Sequence, residues 1–198
     1  MYERIHKNEI NALPLVAFEG EIIVIDNEKQ IKEAVDEILS MDLLLGFDTE
    51  SKPVFQKGVQ QRLALIQFAT ANKAWLFRVF KTGITSHLAN LLSNNEITKL
   101  GMATADDVKK INKDFKIQSL NVIDISTLSK ECGYVENGLR NLAARVLGIR
   151  ISKAQQTSNW ENEELNEAQQ IYAATDAWLG REIYLELINQ KMHGIQEF

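Results

Sequence analysis

The chain has 198 residues, of which 45% are hydrophobic and 25% are charged, and its formal net charge is −5. This length suits one domain with a sizeable core. No apolar run approaches the roughly 18–20 residues that a membrane span needs. The N-terminus also lacks the layout of a signal peptide, and a single cysteine, Cys132, excludes an internal disulfide framework. We therefore expect a cytoplasmic protein with no membrane partner.

The negative charge argues against a protein that grips long nucleic acid with a broad basic surface. It leaves open an enzyme that acts on nucleic acid, because clustered catalytic carboxylates add negative charge that bound metal offsets. Charge alone therefore does not identify the partner.

Strand-like and helix-like segments alternate after an irregular N-terminal arm over residues 1–20. The predicted strands are 21–26, 43–48, 62–69, 74–79, 97–102 and 122–125. The predicted helices are 27–39, 84–92, 105–113, one from Asn137 or Gly138 to Gly148, and one over 163–190. Short connections make 62–69 and 74–79 antiparallel neighbours of the strand that ends at Asp48. This order predicts one α/β domain over 21–198, with a mixed sheet flanked by helices and a helical C-terminal third.

A pair of acids, Asp48 and Glu50, follows the apolar strand that ends at Phe47. Side chains two residues apart on an extended strand point to the same side, so the two carboxylates converge. Like charges that close repel, and one pKa rises unless a cation lies between them. Hard oxygen ligands favour Mg²⁺ or Mn²⁺. Two solvated acids at a polar strand exit are the other explanation.

A tyrosine and an aspartate, Tyr172 and Asp176, lie four residues apart in the last predicted helix. They project from one face. Their neighbours are mostly apolar, and a carboxylate in such surroundings is costly unless it is paired or binds a metal. A further acid, Asp106 or Asp107, follows the strand 97–102, where a helix N-cap or a first-turn acid is also typical.

Together these segments resemble the three motifs of the DEDD superfamily of 3′–5′ exonucleases. The match is to the tyrosine-containing branch, which includes ribonuclease D and the exonuclease domain of the Werner-syndrome helicase. The first motif is Phe47-Asp48-Thr49-Glu50, and the third is Tyr172-Ala173-Ala174-Thr175-Asp176. The second lies between Lys99-Leu100-Gly101 and Lys113-Asp114-Phe115, and alignment of these two flanking segments places its acid at Asp107. Supporting similarity comes from Leu65-Ile66-Gln67, Leu139-Arg140-Asn141-Leu142 and Ser158-Asn159-Trp160. The resemblance covers residues 21–190.

This resemblance implies a ribonuclease H-like fold and a metal-dependent 3′–5′ exonuclease. Asp48, Glu50, Asp107 and Asp176 would hold two divalent ions, Mg²⁺ or Mn²⁺, in a two-metal hydrolysis of phosphodiester bonds. Tyr172 would orient the attacking water, because a phenol with a pKa near 10 is a poor general base. The expected partner is the 3′ end of DNA or RNA, preferentially single-stranded, and the products are nucleoside 5′-monophosphates.

Four further residues are candidates for binding the substrate: Thr49, Lys109, Arg140 and Trp160. Trp160 either stacks on a base or anchors the loop before the last helix. Other basic residues with possible phosphate contacts are Lys52, Lys57, Arg62 and Lys110. Each of these charges is also explained as an ordinary solvated group.

Two other functions remain open from the sequence. One is a catalytically silent nucleic-acid-binding or interaction domain on the same fold, whose signature would be the loss of metal-binding acids; all four are present. The other is an endonuclease or transposase-like phosphotransferase on a related fold.

Overall fold

Strands and helices alternate as predicted in a computed structural model, which describes residues 3–41, 44–54, 61–117, 120–136 and 138–195. The strands are β1 (Glu21–Ile25), β2 (Leu44–Ser51), β3 (Leu63–Ala69), β4 (Lys73–Phe77), β5 (Thr98–Gly101) and β6 (Val122–Asp124). The helices are α1 (Lys7–Ala12), α2 (Glu28–Leu39), α3 (Val79–Thr82), α4 (Ser86–Ser93), α5 (Ala105–Phe115), α6 (Ile125–Glu131), α7 (Leu139–Leu147) and α8 (Glu167–Ile195). Within these described ranges, no helix is both long and apolar enough to cross a membrane.

The strands form one mixed sheet in the order β1-β4-β3-β2-β5-β6. Strand β3 is antiparallel to both β2 and β4, and the other neighbours are parallel. The antiparallel pairing of β2 with β3 agrees with the short connection between them. Strand β4, however, lies one position further out and does not pair with β2.

Strand β2 is longer than the sequence predicts. It continues through Ser51, because β3 hydrogen-bonds alongside it as far as Leu63, with a bulge between Glu50 and Ser51. Asp48 and Glu50 therefore lie within the strand rather than beyond its end. The hydrogen bonds of the sheet therefore fix the backbone at both Asp48 and Glu50.

The last helix begins later than the predicted residue 163. The Asn166 side chain accepts a hydrogen bond from the backbone N–H of Gln169 at 2.9 Å, and the Gln169 side chain accepts one from Asn166 N–H at 3.2 Å. This reciprocal capping box starts α8 at Glu167. The buried Arg78 guanidinium holds the preceding backbone by donating to the carbonyls of Asn162 and Glu163.

Two glycines let α8 lie unusually close to the sheet. A Cβ atom on Gly46 of β2 would stand 1.9 Å from the Ala177 carbonyl oxygen of α8. A Cβ atom on Gly180 of α8 would stand 2.3 Å from the Leu100 carbonyl oxygen of β5. Because only glycine fits at these contacts, α8 crosses directly over β2 and brings Asp176 beside the strand.

The N-terminal segment, predicted to be irregular, contains α1 and docks on the C-terminal half of the chain. Val16 N–H donates to the Arg150 carbonyl at 2.9 Å, and Arg150 N–H donates to the Pro14 carbonyl at 2.9 Å. Phe18 is buried, and its N–H donates to the Thr175 hydroxyl at 2.9 Å. The arm is thus attached one residue before Asp176.

Candidate active site

Three carboxylates from two elements meet beneath the start of α8. Asp48 and Glu50 lie on one face of β2, and Asp176 comes from the third turn of α8. One oxygen from each lies within 4.8 Å of the others. Asp176 is 9% exposed, and the two strand residues are half-buried. The predicted convergence of Asp48 with Glu50 therefore includes the acid from the third motif.

The cluster strongly disfavours full ionisation. Burial, followed by repulsion from Asp176 and Asp107, raises the pKa of Asp48 well above its usual range. Burial and then Asp48 raise the pKa of Glu50 to about 10. Burial raises the pKa of Asp176 to about 7, although the Tyr172 hydrogen bond and the Lys153 charge oppose this shift. Such groups need either protons or cations at neutral pH.

Tyr172 is hydrogen-bonded to Asp176, which lies one turn further along α8. Its hydroxyl donates a hydrogen bond to the Asp176 carboxylate, and burial together with nearby carboxylates raises the pKa of the phenol. The phenol therefore stays protonated and acts as a donor. Its ring packs against Trp160, with ring centroids 6.0 Å apart.

Asp107 lies beside the three-carboxylate cluster rather than within it. The Thr49 hydroxyl donates to an Asp107 carboxylate oxygen at 2.6 Å, and Lys110 Nζ is 4.0 Å from the same oxygen. Burial raises the pKa of Asp107, opposed by the Thr49 bond. Asp106 points elsewhere, since its side chain is 84% exposed and pairs with Lys109 at 3.1 Å.

A groove of about 440 Å³ opens beside these carboxylates. Its wall carries Asp48, Glu50, Tyr172 and Asp176 together with Lys110 and Gln156. A second cavity of about 210 Å³ adjoins Tyr172 and Asp176 and is lined by Arg140 and Lys153. A polar groove with cations on its walls suits an anionic chain.

Only some of the four predicted substrate-binding residues lie beside the carboxylates. Arg140 faces the second cavity, and Thr49 is near the site but its hydroxyl is engaged with Asp107. Lys109 does not line the groove, and its ammonium pairs with the exposed Asp106. The prediction that Trp160 stacks on a base is wrong. Trp160 is 0% exposed and packs against Tyr172 from the core, so its ring cannot receive a base.

Of the other basic candidates in the described residues, one lines the groove and two do not. Lys110 lines the groove, whereas Lys52 pairs with Glu161 at 3.2 Å. Arg62 is exposed just before β3. Lys57 lies outside the described residues.

Sequence reasoning missed Lys153 and Gln156, which belong to the loop between α7 and α8. This loop has neither periodicity nor a motif, so nothing local distinguishes these two from solvated side chains. Their position follows from the loop crossing over Tyr172, where both line cavities next to the carboxylates.

Comparison with known proteins identifies the family. A sequence model of the 3′–5′ exonuclease family matches residues 22–191, a range that contains the four acids and Tyr172. This chain belongs to the 3′–5′ exonuclease family. Mouse bifunctional 3′–5′ exonuclease/ATP-dependent helicase WRN is 32% identical over 188 residues, covering 89% of this chain. The chain spans 13% of that relative's length.

Solved structures show the same fold in other exonucleases. The exonuclease domain of Nibbler from Aedes aegypti superposes with a TM-score of 0.80 at 23% identity, covering 90% of this chain and 93% of that one. Escherichia coli RNase D superposes with a TM-score of 0.76 at 22% identity, covering 87% and 46% respectively. The predicted ribonuclease H-like fold is thereby confirmed.

The donor set of this exonuclease-family chain fits a hard divalent cation. Asp48, Glu50 and Asp176 offer only carboxylate oxygens, the ligands that Mg²⁺ and Mn²⁺ prefer. Their oxygens are already grouped within 4.8 Å. A cation there would offset the cost of burying all three charges and the repulsion that adds to the raised pKa values of Asp48 and Glu50.

Proposed function

We propose that this protein is a metal-dependent 3′–5′ exonuclease that removes nucleotides one at a time from the 3′ end of DNA or RNA and releases nucleoside 5′-monophosphates. One observation carries the proposal: three carboxylates, one buried and two half-buried, present oxygens within 4.8 Å of one another. Membership of the 3′–5′ exonuclease family supports the same reaction.

The residues divide the work of the reaction. Asp48, Glu50, Asp107 and Asp176 would hold two divalent cations, Mg²⁺ or Mn²⁺. When bound, these ions activate water and stabilise the attacking and leaving oxygens of an in-line displacement. Tyr172 stays protonated, so it acts as a hydrogen-bond donor that orients groups beside Asp176 and not as the base.

The flanking side chains bind the strand. Lys110 in the groove, with Arg140 and Lys153 in the adjoining cavity, places positive charge where backbone phosphates would run. The strand, preferentially a single one, enters with its 3′ end at the carboxylates. Thr49 contributes by holding Asp107 through its 2.6 Å hydrogen bond.

The direct test is digestion of matched DNA and RNA oligonucleotides, single- and double-stranded, each labelled at the 5′ end. We expect a ladder that shortens from the 3′ end and accumulates 5′-monophosphates with Mg²⁺ or Mn²⁺, and no reaction with EDTA. Circular single strands should remain intact, which distinguishes this activity from an endonuclease or phosphotransferase. A folded protein that releases no nucleotide from any of these substrates contradicts the proposal.

Asp48→Asn tests the site itself. Loss of an outer-shell partner typically costs about 10- to 100-fold, so loss of a ligand should reduce turnover more than about 100-fold while the protein remains folded. Asp36→Asn is the matched control, because Asp36 is an exposed residue of α2 paired with Lys32. A catalytically silent binding domain would be equally insensitive to both changes.

A further inference from the structure

A buried glutamine lies directly beside Asp48 in the sheet. Gln67 is the residue of β3 that pairs with Asp48 across the antiparallel β2–β3 ladder. Side chains of directly opposed residues point to the same face, with Cβ atoms about 4.5–5.5 Å apart. Gln67 therefore projects toward the same side of the sheet as the Asp48 carboxylate.

That side of the sheet is covered by α8. Leu65, two residues before Gln67, packs in one cluster with Ala173. Ala69, two residues after it, packs in another cluster with Ala177. Gln67 thus lies under the same stretch of helix that delivers Asp176.

The amide of Gln67 has no partner within the described part of the chain. The residue is 0% exposed, and neither its Nε2 nor its Oε1 atom has a hydrogen bond there. Its cross-strand neighbour on β4 is Leu76, which is also fully buried. An unpaired buried amide costs folding free energy, so a purely structural role would be better filled by an apolar side chain of the same size.

We propose that Gln67 is a positioning residue whose amide donates a hydrogen bond to the Asp48 carboxylate when that carboxylate is ionised and binds a divalent cation. This inference rests on the proposed function. An ionised Asp48 has lone pairs beyond those that face a cation, and Gln67 is an adjacent buried donor that can fix the orientation of the carboxylate. Partners of metal ligands commonly act in this way.

The test compares Gln67→Met with Ile66→Met in the full chain. Methionine keeps the volume of glutamine but removes both polar ends. Ile66 is equally buried, alternates to the other side of β3 and packs in the opposite core. We expect Gln67→Met to keep or raise the melting temperature without metal, to weaken Mn²⁺ binding in calorimetry by about 10- to 100-fold, and to lower kcat. Ile66→Met should leave Mn²⁺ affinity unchanged.

The outcomes separate this role from a structural one and from the proposed function. A lower melting temperature with unchanged Mn²⁺ affinity overturns the positioning role alone. A wild-type protein that binds no Mn²⁺ overturns the positioning role and the proposed function together. Nuclear magnetic resonance of the wild type needs no substitution: Mg²⁺ should shift the side-chain amide resonances of Gln67, and unshifted resonances at saturating Mg²⁺ overturn the inference.

Discussion

At the level of individual side chains, the site is defined by groups that oppose one another's ionisation. Asp48, Glu50 and Asp176 are held together by a strand and a helix whose backbones are in close contact at Gly46 and Ala177. Burial does most to raise the pKa values of all three, and repulsion between carboxylates adds to the shift of Asp48 and Glu50. Tyr172 relieves part of the strain by donating to Asp176. The polar atoms of this site therefore act as one coupled unit.

The phenol of Tyr172 should matter for turnover and little for stability. Tyr172→Phe keeps the ring that packs on Trp160 and removes only the donor to Asp176. We expect kcat to fall about 10- to 100-fold and the free energy of unfolding to change by about 1 kcal/mol or less. Single-turnover digestion and thermal melting measure the two effects.

Tyr184→Phe is the control for this change, because Tyr184 lies further along α8 and packs in the core cluster with Ile183. Its turnover should remain at the wild-type level. If Tyr172→Phe retains full turnover, the assigned role of the phenol is wrong.

Among the elements, α8 has the largest influence on the site. Its capping box sets where the helix begins, and that start fixes the turns on which Tyr172 and Asp176 lie. Its glycine contacts set how close the helix approaches β2 and β5. The docked arm then fixes the outer side of the same helix at Thr175.

Gly46→Ala should damage both stability and the site. The new Cβ atom would clash with the backbone of Ala177, which cannot rotate away. We expect a loss of about 1–3 kcal/mol or more in the free energy of unfolding. Displacement of Asp176 should also weaken Mn²⁺ binding, as measured by calorimetry.

Gly83→Ala provides the matched control. A Cβ atom there meets nothing within 4 Å, but the backbone φ of 65° lies in the left-handed region. It should cost about 1–2 kcal/mol and leave Mn²⁺ affinity unchanged. Equal effects of both variants on Mn²⁺ binding would show that lost stability, rather than the position of α8, weakens the site.

Attachment of the N-terminal arm to α8 should depend on the Thr175 hydroxyl. Thr175→Val keeps the shape but leaves the buried Phe18 N–H without an acceptor, at a cost of about 1–3 kcal/mol. We expect faster hydrogen exchange at Phe18 and faster proteolysis within the arm. Thr175→Ser should restore protection, and identical exchange in the valine variant would contradict the assigned contact.

For the whole molecule, the buried carboxylates make stability depend on pH and metal together. Their pKa values are raised above the ordinary values near 4, so the folded protein keeps protons that the unfolded chain releases. Without metal, the contribution of these carboxylates to stability is therefore greatest at low pH and is lost as pH rises through the raised values. One pKa unit corresponds to about 1.4 kcal/mol, and a loss of a few kcal/mol is the expected order.

Thermal melting between pH 5 and pH 8 tests this linkage. In EDTA, the melting temperature should fall across the range, and the pKa of Asp176 near 7 places part of the fall above pH 6. Adding Mg²⁺ or Mn²⁺ should raise the melting temperature most at pH 8, because the cation replaces the lost protons. In EDTA, Asp176→Asn should make the melting temperature depend less on pH. A slope equal to that of the wild type would contradict the assignment of this pH dependence to the carboxylates.

Local patterns were sufficient to predict much of the fold. The short, nearly continuous apolar run of β3 and the spacing of apolar residues in α2 identify those elements directly. Predictions were less accurate where a distant contact decides the boundary. Strand β2 extends to Ser51 because β3 lies beside it, and α1 was missed because its few apolar residues gain burial only by docking against the rest of the chain.

The amino-acid sequence was enough to identify the α/β class, the family resemblance and the acids of the three motifs, because these depend on residue type, order and short-range spacing. Tertiary structure was needed to place Trp160 in the core rather than in the groove and to bring Lys153 and Gln67 next to the carboxylates. These assignments depend on which elements approach each other in space. The close approach of α8 to β2, permitted by Gly46, is the physical reason that Asp176 joins Asp48 and Glu50.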